Sequence, residues 1–138
     1  MSTIQVNAIQ SSTGTQEVTQ TTIFSGTAKA WSNLSGTGTI FERDSFNVSS
    51  YTDNGTGDYT YTLSNNMNNT NYQPGMNSTH TDNAVNEDVG VSSLHGSNGG
   101  TNPIATGSLH VSCTTHSSTP SGLVDSQYAL MSINGDLA

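Results

Sequence analysis

Hydrophobic and polar positions in this chain alternate; they do not recur at helical spacing. In residues 45–49, Phe46 and Val48 point one way and Ser45, Asn47 and Ser49 the other; in residues 59–63, Tyr59, Tyr61 and Leu63 alternate with Thr60 and Thr62. A side-chain period of two marks a half-buried strand. Between the runs, Asp53-Asn54-Gly55-Thr56-Gly57-Asp58 supplies Asn-Gly and a second Gly, residues that accept positive φ in a hairpin loop. The pattern predicts a β-hairpin. Upstream, residues 28–43 predict two strands joined through Ser35-Gly36-Thr37-Gly38. Adjacent Ile40 and Phe41 give the second of these a large apolar group on each face, which suits a strand held between a core and a subunit interface. Trp31, the only Trp, is read as a core residue, with stacking on carbohydrate as its alternative role.

Towards the carboxyl end, Leu109, Val111 and Cys113 alternate, and residues 128–133 are apolar on both faces. A strand apolar on both faces is central and buried. Tyr128, Leu130, Met131 and Ile133 therefore join Trp31, Ile40 and Phe41 as the expected core or oligomer interface. Residues 1–26 form a separate piece. Ile4, Val6 and Ile9 begin a run that Ser-Ser-Thr-Gly-Thr breaks, and Val18, Ile23 and Phe24 resume it weakly in strand spacing. Such a piece cannot bury enough area to fold alone. Two readings are open, an extended tail or edge strand of the same domain, and an extended anchoring arm that pairs with a neighbouring subunit or a larger particle by strand addition, and the anchoring arm is the expectation.

Residues 73–107 contain Pro74-Gly75, valines among acids, and the Gly- and Asn-rich tract 95–103. That composition predicts a long exposed loop insert, with one strand around Val89 and Val91. His80, His95, Asn98 and Asn102 are its candidate ligand-facing side chains. Taken together, the pattern predicts an all-β protein: an arm over 1–26, then an antiparallel β-sandwich or jelly-roll-like domain over 27–138.

Composition adds an oligomer. Only 30% of the 138 residues are hydrophobic and 9% are charged, so few large apolar groups are available to fill a monomer's interior. Symmetric association would bury a second face on each protomer, and a homotrimer is expected. A net charge of −8 with two basic residues argues against nucleic acid and against an anionic membrane surface. No stretch approaches the ~20 apolar residues of a membrane span, and the opening residues lack a leader pattern, so no membrane insertion is expected. The single Cys113 excludes an intrachain disulfide framework and reads as a small buried apolar residue.

The words AKAW, GTGT, RDSFNVSS and TDNGTGDYT within residues 28–63 resemble a module of tail-fibre and other virion proteins of tailed phages, particularly marine ones. STIQVNAIQSSTG resembles the short amino-terminal piece such proteins carry, and VDSQYALMSINGD their last strand. Residues 73–107 lie outside the resemblance. What it implies is a structural protein located in the phage particle, joined to other virion proteins through its arm. Within that class, the expectation is a trimeric tail-fibre or attachment component presenting a polar loop tip to host-surface polysaccharide. The alternative is a capsid decoration protein that stabilises the head and recognises no host.

No chemistry is expected. There is no Gly-x-Ser-x-Gly elbow. Glu42 and Asp44, two apart and hence on one face, flank Arg43 and read as a surface charge cluster, not a glycosidase pair. The loop DNGTGD lacks the ligand order of a calcium loop. His80, His95, His110 and His116 are scattered and read as solvated or hydrogen-bonded. No catalytic residue, cofactor or metal ligand is assigned.

Overall fold

The structure is a computed structural model and describes residue 6 and residues 8–15, 17–79, 90–94, 102–115 and 122–138. The elements run β1 (Ala8–Gln10), β2 (Glu17–Thr19), α1 (Gln20–Gly26), β3 (Ala28–Ser35), β4 (Phe41–Phe46), β5 (Val48–Gly55), β6 (Asp58–Leu63), β7 (Gln73–Thr79), β8 (Gly90–Leu94), β9 (Ser108–Thr115) and β10 (Tyr128–Asn134). β1 and β2 pair with each other; the remaining strands form two four-stranded sheets, in the orders β4-β3-β10-β7 and β5-β6-β9-β8. All pairings are antiparallel. The all-β expectation holds, and the two sheets form a sandwich-like body.

Period-two patterning explains the core. Ala30 and Leu34 on β3, Tyr59, Tyr61 and Leu63 on β6, Leu109, Val111 and Cys113 on β9, and Ala129, Met131 and Ile133 on β10 share one buried cluster. These four are the central strands of their sheets. With few aliphatic residues to hand, tyrosines supply volume, and their hydroxyls find acceptors at the core's margin. Tyr61 Oη reaches Ala129 O at 3.3 Å, Tyr72 Oη reaches Ala105 O at 2.9 Å, and Tyr59 Oη lies 3.1 Å from Asp125 Oδ1. The Tyr51 and Tyr61 rings meet edge to face at 5.4 Å. Burial pushes the Tyr72 hydroxyl up to about 12, and raises Tyr61 and Tyr59 further, the latter with help from the Asp125 carboxylate.

The predicted hairpin is β5–β6, but its first strand begins later than the pattern suggested. Phe46 and Val48 do not share a strand face: Phe46 ends β4 in one sheet and Val48 opens β5 in the other. Asn47, at φ +59°, turns the chain between them. Asn tolerates this left-handed conformation better than most residues. Its amide then fixes the corner: Nδ2 donates to Lys29 O at 3.0 Å and Asn65 O at 3.1 Å, and Oδ1 accepts from Asn65 N at 2.7 Å.

One end of the body is closed by the segment entering β10. Gly57 N donates to Asp125 Oδ1 at 2.8 Å, Val124 N to Cys113 O at 2.9 Å, and Gly36 N to Ser126 O at 2.8 Å. Gly57 sits at φ +64°, and a Cβ there would come within 2.6 Å of Val124 O, so both conformation and space demand glycine.

Three further expectations change. Ile23 and Phe24 lie in the helix α1 and not in a strand. Residues 73–79, read as the opening of a loop insert, are the edge strand β7, with Ser78 buried and Met76 against the core. The strand expected around Val89 and Val91 is present as residues 90–94, β8, which pairs with β9. Trp31, read as a core residue, points outward, because Ala30, Ser32 and Leu34 hold the inward phase of β3.

Candidate interaction surfaces

The arm is folded yet has no interior of its own. Strands of three residues and a helix of seven have little intrinsic stability in water. No residue of α1 is buried; Ile9 and Phe24 are each 57% exposed, and Val6, Val18 and Ile23 are exposed too. Ile4 lies outside the described residues. Thr19 caps the helix, its Oγ1 accepting from Thr22 N at 3.2 Å, and Thr27 closes it by donating its N–H to Ile23 O at 3.2 Å.

Lys29, the only lysine, ties the arm to the body. Its ammonium donates to Phe24 O, to Thr27 O at 3.2 Å and to Thr27 Oγ1 at 2.8 Å, while the residue itself is buried. A cation on the last carbonyls of a helix is favoured by the helix dipole. Between α1 and the body lies a basin of about 610 Å³ walled by Phe24, Ala28, Phe46 and Leu137, with Lys29 at its base.

The second surface is the outer face of the β4-β3-β10-β7 sheet. Cross-strand register puts Trp31 opposite Phe46 and Ser132, Asn33 opposite Asp44 and Leu130, and Ser35 opposite Phe41. Phe41 and Phe46 are each 52% exposed, Trp31 38% and Tyr128 37%. Beside this aromatic ridge, Gly75, Asn77, Leu130 and Ser132 line a shallow groove of about 200 Å³. Met131 and Ile133, from the same candidate group, are core residues; Ile40 is partly buried against the core and Leu130 is half-buried on the outer face.

Glu42 and Asp44 do not share a face, contrary to their spacing. Leu34 pairs with Glu42 and Asn33 with Asp44, so two consecutive residues of β3 face residues two apart on β4, and Arg43 is the extra residue of a bulge. Glu42 therefore takes the phase of Leu34, where, still exposed at the sheet's rim, its carboxylate meets the Tyr51 hydroxyl; that hydroxyl is raised chiefly by burial, with Glu42 adding to the rise and Ser32 opposing it. Ser32 Oγ and Tyr51 Oη are 2.9 Å apart. Arg43 instead lies on the outer face, its guanidinium 5.0 Å from the Phe41 ring centre and 4.6 Å from that of Tyr128, with Nη2 donating to Gln127 O at 3.0 Å. The bulge leaves no trace in the residue pattern, so spacing alone could not find it.

The remaining candidates do not converge. His110 Nε2 bonds Asp58 Oδ1 and lies 3.3 Å from Asn54 Nδ2 at the β5–β6 hairpin. Asn102 Oδ1 accepts from Ile104 N at 3.0 Å, a local turn. His80, His95, Asn98 and His116 lie outside the described residues. Among the described residues no three His, Cys, Asp or Glu side chains are grouped to hold a metal ion, and no helix is long and apolar enough to cross a membrane. Compared with family models, curated proteins and solved structures, the chain matches none.

Proposed function

We propose that this chain is a structural protein of a tailed-phage virion: a homotrimeric, jelly-roll-like sandwich fixed to other virion proteins through its amino-terminal arm, without a catalytic role. Within that class the tail-fibre or attachment component is the preferred reading, with host-surface polysaccharide as the expected ligand class. The observation that carries the proposal is the arm. It is held in place at its root by Lys29 while its apolar side chains remain uncovered, and the core contains none of its residues. A piece with so little internal stability gains order by docking on something else. The words of residues 28–63, which resemble virion proteins, point to what that is.

The test is incorporation. Changing Ile9, Val18 and Phe24 to Ser in the full chain should leave the body's melting transition within about 1 kcal/mol of the parent, since exposed positions contribute little, yet abolish loading into particles. Normal loading of that variant refutes the anchoring role. Replacing residues 96–102 by a short Gly-Ser linker then separates the two placements. Reduced adsorption to host cells supports an attachment component; unchanged adsorption with particles fragile to osmotic shock supports decoration of the head.

A further inference from the structure

We infer that the outer face of the β4-β3-β10-β7 sheet is where a second copy of this chain docks, the aromatic ridge of one copy entering the groove of the other and Arg43 of one meeting Asp44 of the other. The inference rests on the oligomeric reading above and names the surface involved.

Charge is the first argument. The chain carries ten acids and two bases, a net −8, so copies repel over most of their surface. At the outward positions of this sheet the charged side chains are Lys29, Asp44 and Arg43. The Lys29 ammonium is buried against the arm's carbonyls, which leaves one positive and one negative side chain on the exposed part of the face. The bulge at Arg43 produces that balance. In a regular strand Glu42 and Asp44 would stand together on one face, with Arg43 on the other; the extra residue sends Glu42 to the phase of Leu34 and brings Arg43 out. Identical, mutually repelling molecules can approach here at low electrostatic cost, and around a three-fold axis a face bearing one charge of each sign can offer its arginine to one neighbour and its aspartate to the other.

Composition and shape agree with charge. Trp, Tyr, Phe and Arg are the side chains that concentrate at protein–protein contacts, and here four exposed aromatics share a face with an arginine whose guanidinium lies over two of their rings, those of Phe41 and Tyr128. Arg43 is thereby ordered before any partner arrives, which lowers the entropy lost on docking. Ridge and groove lie side by side on one face: Trp31 and Phe46 stand on β3 and β4, and the depression falls over β10 and β7. Its floor is Gly75, whose Cβ would come within 2.8 Å of Ser132 Oγ. A side chain there would fill the depression.

Light scattering and Trp fluorescence together test this, because Trp31 is the chain's only tryptophan and belongs to the ridge. At tens of micromolar, the full chain should scatter as an oligomer, with Trp31 emission blue-shifted and shielded from acrylamide. Gly75→Gln should raise the dissociation constant by about tenfold or more and expose Trp31, with the far-UV spectrum unchanged. Arg43→Glu and Asp44→Arg should each weaken association alone, and an equimolar mixture of the two variants should restore it. An oligomer whose Trp31 stays fully open to quencher overturns this inference and leaves the oligomeric reading standing. A monomer defeats both. A monomer whose Trp31 becomes shielded on adding dextran would make the face a glycan platform and overturn docking of a second copy. Failure of the mixed charge variants to associate overturns the Arg43–Asp44 pairing.

Discussion

Outside the β5-β6-β9-β8 sheet stand Ser50, Thr52, Thr60, Thr62 and His110; outside the β4-β3-β10-β7 sheet stand Phe41, Phe46, Trp31, Leu130 and Tyr128. Inside, the two are alike: each offers two central strands whose alternate residues fill one core. The shared inner pattern sets the fold, while the outer faces are free to differ and carry the difference in role. Short hydroxyls are at home in water on a strand's solvent face. A cluster of half-exposed aromatics is not needed for folding and calls for a partner.

That contrast can be broken most severely from within. Tyr59→Ala should destabilise the protein by about 3–5 kcal/mol, since it opens a large cavity and leaves Asp125 Oδ1 with Gly57 N as its remaining donor of the two described. Because both sheets share the core, far- and near-UV signals should be lost in one urea transition; two transitions would mean that the sheets fold as separate units.

Alkali should act on the same core. The Tyr72 hydroxyl ionises near 10 in the unfolded chain and at about 12 when folded. Above the unfolded value the unfolded state has fewer protons bound, so stability falls as pH rises. It is fully present below pH ~10 and should lose about 2 kcal/mol through Tyr72 alone by pH ~12, with Tyr61 and Tyr59 adding in the same direction. Urea midpoints that hold steady up to pH ~11.5 would contradict the burial of these rings.

At the corner joining the sheets, Asn47→Ala removes four hydrogen bonds and leaves a β-carbon in the left-handed region. A loss of about 2–3 kcal/mol is expected; Asn47→Gly should recover part of it. The smallest stability effects belong to the outer faces. Trp31→Ala and Thr60→Ala, one from each sheet, should each change the stability of the isolated chain by about 1 kcal/mol or less. Only the first should reduce association, as sedimentation would reveal.

What the sequence made legible was the inner phase of the strands. Tyr59-Thr-Tyr-Thr-Leu63 and Leu109-His-Val-Ser-Cys113 alternate so cleanly that hairpin and strand follow from the pattern. The outer arrangement was less accessible. Trp31 reads as core by its size, but its phase is set by small Ala30 and Ser32, which face the interior, Ser32 reaching Tyr51 of β5. The Phe46–Val48 alternation runs on through Asn47 as though nothing happened there; the corner exists because one Asn adopts a positive φ that its neighbours' side chains do not announce. β7, with its Pro-Gly and amides, looks like a loop because an edge strand needs only one apolar contact, Met76, to join the sheet. The seven-residue helix of the arm was hidden by β-branched residues, and its Thr19 cap was the one available signal.

The bulge at Arg43 has a consequence for how the molecule can grow. β4 is one rim of the aromatic sheet, and the extra residue interrupts its row of free backbone donors and acceptors. β7 is the opposite rim, and there Pro74 has no N–H to offer. Neither rim presents the unbroken ladder on which another strand could extend the sheet sideways into a fibril. An aromatic sheet in an acidic, sparsely charged chain would be an aggregation hazard if its rims were open; with both rims spoiled, lateral polymerisation is discouraged, and the broad face is the part of this sheet through which copies could meet.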